Sequence, residues 1–467
     1  DIVIAISYSG ETRETVLAAR AAKERGCRII AITQANHNSL SRLADYPLYI
    51  PSEEGEFRMG AMTSRISGLL LLDLLYLGIA KHDFDHTRQS LSQTRKLIRS
   101  LQRDGAIPAP EDNINFALEV RQMELSQLDA ILETYRQAGY YPSAVCQVFN
   151  EKEILYRRAV GGVDTGGWFD LASVSKLVCT TMLLSLMEEG RFAPETPALS
   201  LLPGHAPGPA TRRRLEAVTV GQLMTHTSGI VPWYPFYADG RDFYTVLEHV
   251  LASTQPETGM AYSDLNFMLL GLVVEAVSGL PLRQALERYV KAPLGISDMA
   301  YGPIDPALAV PTCYGNQIEQ RMCAQRGLSF DGWRPNGVEV RGACNDGNAF
   351  YYWKGASGHA GIFATADALS TLGQFYLSTD RPWFLRAMET CVEKRGLGFD
   401  RCDVFPDGCG HSGFTGTSLW ISRTHHIGAV LLTNKFHRLE GEPPGSSNDF
   451  RRAVHYALLG RTPPVPV

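Results

Sequence analysis

The run LIRSLQRDGAIPAPEDN at residues 97–113 is polar and Pro-containing, and the hydrophobic pattern differs on its two sides. Before it, short apolar runs alternate with helix-like segments. DIVIAIS, CRIIAIT and YPLYI read as strands, ETRETVLAARAAKERG and SLSRLA as helices, and a longer helix is expected from about Gly60 to His82. Such alternation requires crossover connections and predicts a parallel sheet. After the run, FALEVRQMELSQLDAILETYRQAG reads as helix. The strands SAVCQVFN, EILYRRAVGG, TSLWISR and IGAVLLTN then lie near the two ends of a long block rich in amphipathic helices. That distribution predicts an α+β domain in which strands from both ends share one antiparallel sheet. The expected division is 1–104, a linker at 105–124, and 125–467. No internal repeat occurs.

A chain of 467 residues is long enough for two cores. It is 45% hydrophobic and 20% charged, which is globular composition. The net charge of −5 supplies no electrostatic footprint for nucleic acid. Nine scattered cysteines form no disulfide framework and suit a reducing compartment, so a cytoplasmic location is expected. Cys402, Cys409 and His411 come nearest to a metal pattern but lack paired C-x2–4-C spacing, and neither metal nor cofactor is expected. The most apolar run, ISGLLLLDLLYLGIA at 66–80, contains Asp73 and is shorter than the about 20 residues a membrane span needs. It is read as a buried or dimer-forming helix. The chain opens inside a strand without an initiator Met, so further sequence is expected upstream.

Two segments carry candidate chemistry. SYSGET (Ser7–Thr12) joins the first strand to the first helix, with three hydroxyl groups and a glycine at a helix N-terminus. Free backbone N–H groups and the helix dipole there suit a phosphate, and an N-cap with a tight turn accounts for the same residues. In the second, WFDLASVSKLVCTTM (168–182), Ser173 precedes Lys176 by three positions. Residues i and i+3 share a helix face, so Ser173 Oγ and the Lys176 amine can meet, whereas Ser175 is rotated away. A helix N-terminus favours negative charge on a nucleophile and disfavours a protonated lysine, which suits a serine needing a base. A capped core helix with Leu177, Val178, Met182 and Leu183 on its apolar face is the competing account. The tetrad S-x-x-K alone occurs about twice by chance in a chain of this length at average composition.

Residues 1–102, through AISYSGETRETVLAARAAKERGCRIIAIT, SLSRLADYPLYIPSEE and AMTSRIS, resemble the sugar isomerase (SIS) domain of RpiR/MurR-type regulators. The resemblance implies that Ser7, Ser9 and Thr12 hold the phosphate of a sugar such as N-acetylmuramic acid 6-phosphate, and that the domain dimerises. The domain is expected to be partial, and the resemblance does not extend to a DNA-binding segment.

Residues from about 125 onward are similar to the serine β-lactamase/penicillin-binding-protein superfamily, nearest to class C β-lactamases, D-Ala-D-Ala carboxypeptidases and related esterases. The similarity rests on S-x-x-K at Ser173–Lys176, AYSDLN with Tyr262 and Asp264, and GHSGFTG with His411-Ser412-Gly413, in that order. LMTHTSGI, APLGISDM and ASGHAGIFATADAL support it. The resemblance implies an antiparallel sheet flanked by helices plus a helical subdomain. It makes Ser173 the nucleophile, Lys176 its proton partner and Tyr262 the second member of the relay, acting beside the lysine cation. The amides of Ser173 and Phe414 become the oxyanion hole, and His411-Ser412-Gly413 an edge strand facing substrate. His226 and His359 fall in turns that the family uses structurally.

Two departures bear on substrate. Asp264 stands where many relatives have Asn; a carboxylate only accepts hydrogen bonds, and beside Lys176 it raises the lysine's pKa. Asn266 is a candidate compensation. His411 replaces Lys, so its positive charge near pH 7 is expected to be partial. Both argue against an efficient lactamase and fit a carboxypeptidase or esterase. Three readings follow: an acyl-serine hydrolase of D-alanyl peptides or small esters, an esterase without peptidase activity, and a sugar-phosphate-responsive regulator whose hydrolase block only binds.

Overall fold

A computed structural model describes residues 2–50, 127–202, 208–389 and 392–463. The chain forms two compact units, Asp1–Asn115 and Phe116–Val467. The helix expected over 60–82 and the linker expected over 105–124 lie outside the described residues.

In the first unit, β1 (Ile2–Ile6), α1 (Arg13–Glu24), β2 (Arg28–Gln34), α2 (Ser39–Leu43) and β3 (Tyr46–Ile50) follow the expected alternation. The strands are parallel in the order β1-β2-β3, with Ala5 opposite Ala31 and Ala31 opposite Pro47. Ala5, Ile29 and Ala31 pack with Ala19 of α1 and Leu40 of α2. Gly10 makes the turn into α1 at φ +67°. A Cβ there would lie 2.0 Å from Asn38 Cγ, so the close approach requires glycine.

The second unit begins with α3 (127–137), β4 (Ala144–Phe149), β5 (Ile154–Val160) and β6 (Phe169–Asp170). A 3-10 turn (Ala172–Val174) leads into α4 (Ser175–Glu188). The elements that follow include α5 (Phe243–Ser253), α6 (Asp264–Ser278), β7 (Met299–Tyr301), β8 (Ile362–Ala364) and α7 (Ala366–Ser378). The block closes with β9 (Cys409–Ser412), β10 (Ser418–Ser422), β11 (Ile427–Thr433) and α8 (Ser447–Ala457).

Five strands form one antiparallel sheet in the order β9-β10-β11-β4-β5. Its centre joins the two ends of the block, with Ala144 opposite Thr433 and Phe149 opposite Gly428. Alternation along the strands feeds two cores. Val145, Phe149, Leu419, Ile421, Val430 and Leu432 face the larger one. Cys146, Val148, Trp420, Ala429 and Leu431 face a smaller one closed by Leu128 and Leu132 of α3 and Phe450 and Val454 of α8. Phe149 occupies space that only glycines leave: a Cβ on Gly373 or Gly428 would lie 2.2 Å from its Cζ.

Helix α4 is buried along nearly its whole length, from Ser175 to Met187, rather than on one apolar face. It is the central helix of the larger core, as an all-round apolar helix must be. Among the described residues, no single helix is long and apolar enough to cross a membrane.

Candidate active site

Asp170 and Ala172 set up the turn that carries Ser173. Asp170 Oδ1 accepts from the Ala172 amide at 3.0 Å and Oδ2 from the Asn345 amide at 2.6 Å. Burial pushes the Asp170 carboxyl up to about 6, against the pull of these two amides. Ala172 is left-handed at φ 46°, a strained conformation for a residue with a side chain, and it presents Ser173 at the start of α4. Ser173 therefore sits in the 3-10 turn, one residue before the α-helix proper. The expected pairing still forms, with Lys176 Nζ 2.9 Å from Ser173 Oγ. Ser175 is fully buried, and its Oγ accepts from the Ile362 amide at 3.2 Å, tying α4 to β8.

Lys176 is fully buried and donates to Asp264 Oδ1 at 2.8 Å. Burial alone would lower its pKa, but Asp264 and Tyr262 outweigh that and hold the ammonium above its ordinary value. This corrects the expectation that the helix N-terminus delivers a neutral amine, because a carboxylate in direct contact acts more strongly than partial charges at the helix end. The Lys176 ammonium lies 4.8 Å from the centre of the Tyr262 ring. His226 supports the other side of that ring, with centroids 4.5 Å apart. Its Nδ1 accepts from the Ser263 amide at 3.1 Å, and burial, Lys176 and Arg395 drive its pKa far down, so the imidazole is neutral. His359 is likewise buried, between Ser357 at 2.8 Å and Asp346 at 2.9 Å. Both histidines are built into turns, as expected. Asn266 does not compensate for Asp264: its Oδ1 accepts from Ser228 at 2.7 Å and its amide nitrogen lies 3.3 Å from His226, behind the site.

His411 and Ser412 lie on β9, the sheet edge, and Gly413 and Phe414 on the turn to β10. Among the described residues the amides of Ser173 and Phe414 donate to no acceptor, so both are free to receive an oxyanion. Gly413 N–H is instead used within the turn, donating to Thr417 O at 2.7 Å. Arg451 of α8 fixes this turn by donating to Gly413 O at 2.7 Å and Thr417 O at 2.8 Å.

The expected partial charge on His411 is not found. The ring is buried with Nδ1 2.8 Å from Ser412 O, and burial, Lys176 and Arg395 push its pKa well below the ordinary value. The cation on this side of the site is Arg395, which sequence reasoning missed. Its guanidinium is 5.3 Å from the Tyr262 ring centre and 3.5 Å from Asp400, and its Nε is buried without a hydrogen-bond partner. It comes from VEKRGLGFD, which carries no motif, and only the fold brings it to Tyr262. These groups line a cleft of about 700 Å³ that takes in Ser173, Tyr262, Asp264, His411 and Arg395. Among the described residues no cluster of three metal-ligating side chains occurs.

In the first unit, Ser7 Oγ and Thr12 Oγ1 are 2.8 Å apart, and Ser9 Oγ accepts from the Glu11 amide at 3.3 Å. Thr12 occupies the N-cap position of α1, yet its side chain makes no capping bond. Ser7 and Thr12 are thus paired at the start of α1, while Ser9 is engaged within the turn.

Fold and site together define a serine hydrolase of the β-lactamase fold. The family model described as Beta-lactamase matches residues 128–451, and the chain belongs to that family; the model described as SIS domain matches residues 1–78. A protein of Escherichia coli (strain K12) named "Putative D-alanyl-D-alanine carboxypeptidase" is 27% identical over 70% of this chain and 86% of its own length. The N-acetylmuramyl-L-alanine amidase of Bacillus subtilis (strain 168) is 26% identical over 70% of this chain and 84% of its own. Among solved structures, a class C β-lactamase from Rhodobacter sphaeroides shares the fold with a TM-score of 0.52 at 16% identity, covering 71% of this chain and 98% of that one.

Proposed function

We propose that the second unit hydrolyses an amide bond in a peptide-bearing cell-wall fragment through an acyl-Ser173 intermediate. The carrying observation is the contact of Ser173 Oγ with Lys176 Nζ at 2.9 Å beneath Tyr262, in a cleft flanked by Arg395. Once the Lys176–Tyr262 pair has released one proton to solvent, Ser173 Oγ adds to the scissile carbonyl while its own proton passes into that pair. The amides of Ser173 and Phe414 receive the oxyanion. As the C–N bond breaks, Tyr262 returns the proton to the leaving nitrogen, and water then hydrolyses the acyl ester. Arg395 supplies the charge for a substrate carboxylate that neutral His411 lacks. The names of the two relatives support a cell-wall amide, either D-alanyl–D-alanine or the muramyl–L-alanine bond.

In the first unit, the SIS match and the hydroxyls of Ser7, Ser9 and Thr12 support binding of a sugar phosphate such as N-acetylmuramic acid 6-phosphate, with dimerisation through this unit. The division 1–104, 105–124 and 125–467 is our domain proposal. Eight cysteines are free among the described residues, which supports a reducing, cytoplasmic setting.

The test is labelling with a fluorophosphonate or penicillin probe followed by peptide mapping. Label is expected on Ser173 and abolished by Ser173→Ala; label elsewhere rejects the nucleophile. Turnover of a D-Ala-D-Ala peptide, N-acetylmuramoyl-L-alanine, a short nitrophenyl ester and a chromogenic cephalosporin then separates amidase from esterase. A sugar phosphate that raises the melting temperature of a chain no probe acylates would favour the regulatory reading instead.

A further inference from the structure

The wall of the cleft beyond Phe414 carries three cations that, among the described residues, no carboxylate pairs with directly. Lys435 follows β11, and its backbone N–H donates to Thr415 O at 3.2 Å, so the turn that carries the Phe414 amide also positions the lysine. The ammonium lies 5.0 Å from the Phe414 ring centre and 4.6 Å from that of Phe436, and the two rings are 4.6 Å apart. Cation–π contact orients an ammonium without neutralising it. Among the described residues, no carboxylate is within ion-pair distance of Lys435, Arg438 or Arg451. Glu442, on the same wall, is engaged with Arg321 at 2.5 Å. Arg438 donates to Lys435 O at 2.9 Å and Gly139 O at 2.8 Å, so only backbone oxygens meet it. Three half-buried or buried cations line one ligand-sized cleft with no carboxylate in ion-pair contact, and an anion is the group that relieves their mutual repulsion.

We propose that Lys435, caged by Phe414 and Phe436 and backed by Arg438, is a specificity-determining subsite for an anionic group, phosphate or carboxylate, on the substrate. This rests on the reading of Ser173 as the acylated residue. It adds a second anion site to the cleft that Ser173 and Arg395 also line, so that a substrate carrying two anionic groups engages both cations. Burial, with Arg451 and Arg438, holds the Lys435 pKa down to about 8, which agrees with a cation lacking a counter-ion. The anion has two chemical sources in a peptide-bearing cell-wall fragment, a phosphate ester on the sugar or a carboxylate of the peptide.

The experiment compares full-length chain with Lys435→Met and Lys435→Arg, after a fluorophosphonate probe has established that each is acylated at Ser173 as readily as the parent. Absence of that label in the parent would count against the proposed function and not against the subsite. Steady-state KM and kcat are measured on N-acetylmuramoyl peptides with and without an O6-phosphate, each with glutamate or glutamine in the peptide, and on a neutral nitrophenyl ester. Lys435→Met is expected to raise KM roughly tenfold or more for the charged substrates with kcat little changed, to leave the neutral ester unaffected, and to be rescued by Lys435→Arg. Loss confined to the phosphorylated pair identifies phosphate, and loss confined to the glutamate pair identifies carboxylate. Equal loss on the neutral ester, or no loss on any charged substrate, overturns the subsite.

Discussion

Lys176 Nζ is 2.8 Å from Asp264 Oδ1 and 2.9 Å from Ser173 Oγ, so one ammonium is shared between a carboxylate and a serine hydroxyl. Asp264 helps keep the proton on the lysine, and in the proposed mechanism Ser173 is activated only once that proton has moved. This links the identity of residue 264 to the pH at which the enzyme works.

Asp264→Asn should therefore shift the pH profile. With the carboxylate present the lysine pKa is raised, and the rate of Ser173 acylation climbs with pH above neutrality. Without it, burial, the largest influence, lowers the pKa against Tyr262 alone, moving the rising limb of kcat/KM to lower pH by about one unit or more. Ester hydrolysis from pH 5 to 10 is the measurement; an unmoved limb would show that Asp264 does not control the proton.

Ser175→Ala separates structure from chemistry within three residues. Losing its bond to the Ile362 amide leaves a buried N–H unpaired, at a cost of about 1–3 kcal/mol. Urea unfolding should record that loss, while fluorophosphonate labelling of Ser173 stays within about twofold of the parent. Ser173→Ala should do the reverse.

The Lys435 subsite predicts its own pH limit. A lysine with its pKa held down near 8 is charged below that pH and neutral above it. Arg438 and Arg451 act on it in the same direction. KM for an anionic substrate should be flat below pH 8 and rise above it, and Lys435→Arg should extend the flat region, since arginine stays protonated.

Gly428→Ala tests the packing that joins the ends of the sheet. Its Cβ would meet Phe149 Cζ at 2.2 Å, and overpacking of this kind costs about 1–3 kcal/mol. Adding Phe149→Leu should return part of the loss in urea unfolding. A fully additive double variant would show that the two residues do not share the space.

Much of this molecule is legible in the sequence because the relevant signals are local. Strand and helix runs at 1–50 and at the sheet strands appear where period and turn residues place them. Ser173 and Lys176 are legible because three positions on one helical turn fix a distance. Charge was harder to read. His411 in isolation is a half-protonated imidazole, and only its burial beside Lys176 and Arg395 makes it neutral. Arg395 and Lys435 carry no sequence signal, because their importance comes from which rings they face, and those rings arrive from distant segments. Asn266 looked available one turn from Tyr262, yet that turn points its amide at His226.

The pairing of β4 with β11 has a consequence for the order in which the protein is made. Phe149 leaves the ribosome long before Gly428, its partner across the sheet. Through more than half the length of the chain, β4 has only β5 beside it, and one sheet edge waits unpaired. Such long-range closure is intrinsically slow and leaves the growing chain prone to association. The Phe414 amide emerges long after Ser173, and the Arg451 that steadies its turn emerges later still. A nascent chain thus carries Ser173 and Lys176 early, and the turn that faces them is fixed only after Arg451 has emerged.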